Sequence, residues 1–223
     1  MSNRKISIGK KKILLYNEGT YEKILPETVS GSTLKEEWEG ARMKQILLVS
    51  HCLLNTASKV KGFKEEAMEK EEALRRQFLH AAIDHGVHLI QLPCPEFLQY
   101  GARRWGHTFD QFDNVFFREQ CRNMLKPVLL QLQEYMENPE EFELIGVLGI
   151  DGSPSCGVKY TCRAPWGGEF SGRDVTDVLK SCRLSEGSGV FMSVFKEMLK
   201  ENGIEMKMEG LFAHEPERAM GML

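Results

Sequence analysis

Three short apolar runs each stop within a few residues of a cysteine, and this recurrence constrains the chain more than any other feature. Ile46-Leu47-Leu48-Val49 leads into Ser50-His51-Cys52, and Val87-His88-Leu89-Ile90-Gln91-Leu92 leads into Pro93-Cys94-Pro95-Glu96. Residues 144–150 lead into Asp151-Gly152-Ser153-Pro154-Ser155-Cys156-Gly157. Apolar runs of this length, bounded by turn residues, read as buried strands. If the three lie parallel in one sheet, their C-terminal ends share an edge, and open α/β sheets place their sites along that edge. Three thiols then converge on one spot.

The segments between these runs supply the crossovers a parallel sheet needs. Residues 65–84 read as a helix with Leu74, Phe78, Leu79, Ala82 and Ile83 on one face, closed by His85-Gly86. Residues 117–136 repeat the pattern with Phe117, Cys121, Leu125, Val128, Leu129, Leu132 and Met136, and Pro127 inside them is expected to kink or restart the helix. A third helix carries Val190, Phe191, Val194, Phe195, Met198 and Leu199 and stops at Asn202-Gly203, ahead of a last strand at 204–208. Residues 93–114 and 157–187 read as irregular. The alternation predicts an α/β fold: a mostly parallel sheet with helices on both faces, joined by right-handed crossovers. The order is Rossmann-like, but no GxGxxG follows a strand and no P-loop run is present, so a dinucleotide or P-loop site is not indicated.

Composition narrows the class. The chain has 223 residues, 42% of them apolar and 27% charged, enough for one α/β domain with a sizeable core. A net charge of -3 gives no electrostatic case for nucleic acid or an anionic membrane as partner. No run approaches eighteen apolar residues, and the first residues hold no apolar signal segment, so the expected location is cytoplasmic. Six cysteines in a chain this long suit burial, metal binding or catalysis rather than a disulfide scaffold. Residues 1–43 differ from the rest: a Lys10-Lys11-Lys12 run, a possible hairpin around Asn17-Glu18-Gly19, then a polar stretch. They read as an N-terminal extension, poorly ordered or packed on the surface, ahead of a domain spanning 44–223.

Cys52, Cys94 and Cys156 lie 42 and 62 residues apart, which rules out zinc-finger and ferredoxin spacing. Topology alone joins them. Three thiolates at one sheet edge suit an iron–sulfur cluster that keeps one iron open as a Lewis acid for a soft ligand. Zinc with three cysteines and a water, and three buried thiols with no metal at all, are the competing readings.

The blocks Ser-His-Cys-Leu-Leu-Asn at 50–55, Cys-Pro-Glu at 94–96 and Ser-Pro-Ser-Cys-Gly at 153–157 resemble the signature blocks of the thiouracil desulfidase family. The likeness continues through Gly167-Gly168-Glu169-Phe170-Ser171-Gly172 and the Gly-Ser-Gly helix entry, covering about residues 44–210. Tyr100-Gly101, Arg103-Arg104-Trp105-Gly106 and Gln111-Phe112-Asp113 are closer to a desulfidase-related subgroup than to the thiouracil enzymes, which differ in that stretch.

The resemblance implies a 4Fe–4S cluster held by Cys52, Cys94 and Cys156 with one open iron. The implied reaction removes sulfur from a small thiolated compound, such as a thiouracil-like heterocycle, without net redox. It also places Glu96 and Ser153 at catalytic positions, Glu96 as general base for water and Ser153 as a hydrogen-bond donor that positions substrate or water. Arg104, Trp105, Asn55 and Asp151 are candidate substrate-binding residues. Cys121 falls on an apolar helix face and reads as core, while Cys162 is the one candidate for a fourth ligand. A non-catalytic iron–sulfur or sulfide-carrying protein, and a metal-free hydrolase using Cys52 and His51, stay open as alternatives.

Overall fold

In the computed structural model the described residues are 43–62, 65–169 and 171–223. All of the extension at 1–43 except Met43, and its expected hairpin, lie outside them. The centre is a four-stranded sheet of β1 (Lys44–Val49), β2 (His88–Gln91), β3 (Phe142–Ile150) and β6 (Met208–Leu211), in the order β2-β1-β3-β6. All three pairings are parallel, as the alternation of strands and helices predicts. Because both faces are covered, β1 is apolar almost throughout rather than alternating. Leu48 packs into one core, and Leu47 and Val49 into the other.

On the first face lie α5 (Val115–Met136) and α7 (Val190–Glu201), packed on each other through residues such as Phe117, Leu125, Phe191 and Phe195. On the second lie α2 (Glu65–Asp84) and α8 (Pro216–Met220), with Leu74, Phe78 and Ala82 of α2 repeating every four residues along the buried side. Two residues expected on buried faces turn outward: Ile83 is 70% exposed and Met136 45%. Pro127 neither ends nor restarts α5, which runs unbroken from the Asn114 N-cap, whose side chain accepts from Phe117 N at 3.0 Å. Burial of Leu125, Val128 and Leu129 on either side of the proline holds the helix through the lost hydrogen bond.

The last strand is displaced from its expected place. Residues 204–207 bury Ile204 in the first core, while ladder pairing with β3 begins only at Met208. The two stretches read as irregular are partly ordered. Residues 93–114 contain α3 (Pro95–Tyr100) and α4 (Phe109–Phe112). Residues 157–187 contain an antiparallel pair, β4 (Tyr160–Arg163) with β5 (Arg183–Glu186), and α6 (Thr176–Lys180). Among the described residues no helix is long and apolar enough to cross a membrane.

β1 and β3 are neighbours, and the chain leaving β1 turns outward to β2 while the chain leaving β3 turns the other way to β6. The crevice outside the C-terminal ends of β1 and β3 is the topological switch point, where open sheets take ligands.

Candidate functional site

All three strand-end cysteines stand at that crevice. Cys52 lies in the one-turn helix α1 (His51–Leu54) that follows β1 directly. Cys94 caps α3, its sulfur accepting from Phe97 N at 3.4 Å, with Pro95 at the first helical position where its missing N–H costs nothing. Cys156 sits in the turn after β3, held by Ile150 N donating to its carbonyl at 3.0 Å.

The sulfurs are close enough to govern one another's protons. Hydrogen bonding to Cys94, then burial and the charge of Cys156, push the Cys52 thiol far up. The Cys94 thiol is brought down to about 7, chiefly by its bond to Cys52 and with help from the Phe97 N–H. Burial lifts Cys156 to about 12, and Glu96 and Cys94 add to the shift while the Ser155 and Ser50 hydroxyls oppose it. Ser50 Oγ is buried and makes no well-formed hydrogen bond of its own. The nearby cations are committed elsewhere: Lys59, beside Cys52, pairs with Glu71, and Arg104 pairs with Glu96.

Three soft donors that resist joint ionisation, beside an unpartnered buried hydroxyl, fit a polynuclear thiophilic metal group whose positive charge would discharge them. Among the described residues no three His, Cys, Asp or Glu side chains converge tightly enough to hold one metal. Cys52, Cys94 and Cys156 are the residues that would hold such a polynuclear group.

Beside the thiols runs a buried polar chain. Glu96 Oε1 accepts from Ser155 Oγ at 2.6 Å, and Ser155 Oγ lies 3.5 Å from the Cys156 sulfur. Glu96 Oε2 accepts from Arg104 Nε at 3.4 Å. Arg104 also donates to the carbonyls of Ser58 at 2.7 Å and Gly101 at 3.1 Å, tying the turn after α1 and the end of α3 to the carboxylate. Its side chain is only 3% exposed, whereas adjacent Trp105 is 81% exposed. Ser153 Oγ accepts from Cys156 N at 3.0 Å and Ser155 N at 3.3 Å, leaving its proton to face Ser155 Oγ, 3.3 Å away, or a bound molecule.

The Cys156 turn is clamped from two sides. Asp151 Oδ1 accepts from the backbone of Val158 at 2.8 Å, Lys159 at 2.9 Å and Tyr160 at 3.2 Å, and its Oδ2 pairs with Arg218 at 2.8 Å. From the other side, first-turn amides of α7, unsatisfied within any helix, donate to this turn: Gly189 to Gly157 O, Val190 to Pro154 O and Met192 to Ser155 O. The approach leaves no room for side chains. A Cβ on Gly157 would strike the carbonyls of Tyr160 and Ser153, and one on Gly189 the backbone of Ser155. Gly157→Ala is therefore expected to cost about 1–3 kcal/mol of stability, read as a lower urea midpoint with unchanged slope; an unchanged midpoint would show the turn to be pliable.

Asn55 stands apart from this chain, its side chain accepting from Ala57 N at 3.1 Å. His51 is not among the groups that set the Cys52 thiol. Cys121 is fully buried among apolar neighbours of α5, as expected of a core residue. The sulfur of Cys162 meets that of Cys182. Next to the site, a cleft of about 330 Å³ is lined by Glu66, Lys70 and Glu71 of α2, by Asp151, and by Leu211, Phe212 and His214 after β6. Glu71 pairs with Lys59, whose charge weakly favours the Cys52 thiolate.

A family model described as "Putative 2-thiouracil desulfurase" matches residues 43–214, which takes in every element of the site except Arg218. The chain belongs to that family. The uncharacterized protein MJ0003 of Methanocaldococcus jannaschii is 35% identical over 115 residues, 52% of this chain and 69% of that protein. No solved structure matches the chain. Within this member of the desulfurase family, Ser155 is a site residue that sequence reasoning passed over, as is Arg218. The Ser155 hydroxyl, not that of Ser153, meets Glu96, and the one available signal was its place beside Cys156.

Proposed function

We propose that this member of the 2-thiouracil desulfurase family removes sulfur hydrolytically from a small thiolated heterocycle, with Cys52, Cys94 and Cys156 holding a 4Fe–4S cluster. The single observation that carries the reading is the meeting of those three thiols with the buried Glu96 carboxylate at the switch point. Bound there, the cluster would supply one iron without a protein ligand as a Lewis acid toward a thiocarbonyl sulfur, with no net electron transfer.

The protein's own part is to place water and move protons. Glu96 takes a proton from water as the oxygen attacks the thiocarbonyl carbon, the carbon–sulfur bond breaks, and the proton returns to the departing hydrosulfide. Arg104 holds Oε2, so Oε1 is the basic atom, and the Ser155 hydroxyl bonded to it relays or orients the proton. Ser153 offers its proton to substrate or water while its oxygen fixes the Cys156 amide.

The test is sulfide release from 2-thiouracil by anaerobically purified protein. Glu96→Gln keeps the shape and a partner for Ser155 but removes the base; it is expected to keep wild-type iron and lose about 10²–10⁴-fold in turnover. Equal turnover in the variant would remove Glu96 from the reaction.

A further inference from the structure

A second pair of thiols lies outside the site just described. Cys162 on β4 and Cys182, immediately before β5, have their sulfurs 2.8 Å apart, and both are free thiols. The register explains the meeting. Cys162 pairs across the ladder with Leu184, and Cys182, two residues before Leu184 and just ahead of the strand, meets it there. A disulfide needs sulfurs at about 2.05 Å, so the remaining closure is under about 1 Å and lies within side-chain rotation. Cys182 is exposed and Cys162 half-buried. Burial and the neighbouring Cys182 raise the Cys162 thiol to about 12.

We propose that Cys162 and Cys182 form a reversible dithiol–disulfide site, closed by hydrogen peroxide. The exposed Cys182 thiolate attacks the peroxide O–O bond, giving a sulfenic acid and hydroxide. The Cys162 sulfur then attacks that sulfenic sulfur, its proton joining the departing hydroxide as water. Two thiols lose two electrons and two protons, and one peroxide becomes two waters. The bond braces β4, which holds the Cys156 turn through Gly152 N to Tyr160 O at 2.9 Å and Thr161 Oγ1 to Ser153 O at 3.1 Å. The site stands independently of any cluster.

The sequence makes the measurement direct, since trypsin releases Cys162 in residues 160–163 and Cys182 in residues 181–183. Reduced full-length protein is treated with hydrogen peroxide, alkylated, digested and weighed. The expected result is one linked peptide pair, two hydrogens lighter than the sum, with loss of both alkylated peptides and their return after dithiothreitol. Cys182→Ser should abolish the linked pair and leave Cys162 open to alkylation. Slower amide exchange in β4 and β5 of the oxidised wild type would support the brace. Recovery of Cys182 as sulfinic acid with Cys162 still alkylated, or linkage only between separate chains, would overturn the proposal.

Discussion

Anaerobically purified protein carrying Cys52→Ala, Cys94→Ala or Cys156→Ala is expected to fall from roughly four irons per chain to almost none. The three proposed ligands follow β1, β2 and β3, and each is fixed by its own local backbone bonds. No second cysteine stands ready to replace a missing one. Cys121 is locked inside the core, and Cys162 is turned toward Cys182. Losing one thiolate therefore leaves two donors for a group that needs three, and alanine fits each place without a clash. Cys162→Ala and Cys182→Ala serve as controls that should keep full iron and inorganic sulfide. Full iron in any of the three ligand variants would break the assignment. So would wild-type protein that stays colourless after anaerobic reconstitution, and the buried-thiol reading would then return.

What could be read from the sequence follows the range over which each signal acts. The strand-end cysteines were legible because each apolar run and its turn lie within about ten residues, and parallel order follows from helices of crossover length between them. Orientation inside the turns was not legible. In 153–156 the backbone leaves the two-residue alternation of a strand, so nothing local says that Ser155 reaches Glu96 while Ser153 turns back on its own backbone. Arg103 and Arg104 pose the same problem, since one is exposed and the other buried against a carboxylate. β4 and β5 were not legible because their four-residue strands carry polar and charged residues and pair across the nineteen positions between Arg163 and Arg183. Arg218 could not have been found, lying 67 residues from the aspartate it serves.

That aspartate carries the second large effect. Asp151, expected among substrate-binding residues, has both oxygens engaged by the protein: three backbone amides on Oδ1 and the Arg218 guanidinium on Oδ2. Its side chain is fully buried and that of Arg218 is 15% exposed. Removing one partner of such a pair leaves the other charge uncompensated, so Asp151→Ala is expected to cost about 3–5 kcal/mol, a large share of the roughly 5–15 kcal/mol of a typical domain. Asp151→Asn separates the two halves of the interaction. The amide oxygen can still accept from Val158, Lys159 and Tyr160, while its NH₂ group would confront the donors of Arg218. The expected loss is about 1–3 kcal/mol. Arg218→Met should relieve that confrontation, so the double variant should lose less than the two single changes added together. Denaturant midpoints for the four proteins measure the coupling directly. Additive losses would mean that Asp151 and Arg218 act separately. Near-wild-type midpoints, joined to a raised KM for the thiolated substrate, would instead return Asp151 to the adjoining cleft as a substrate ligand.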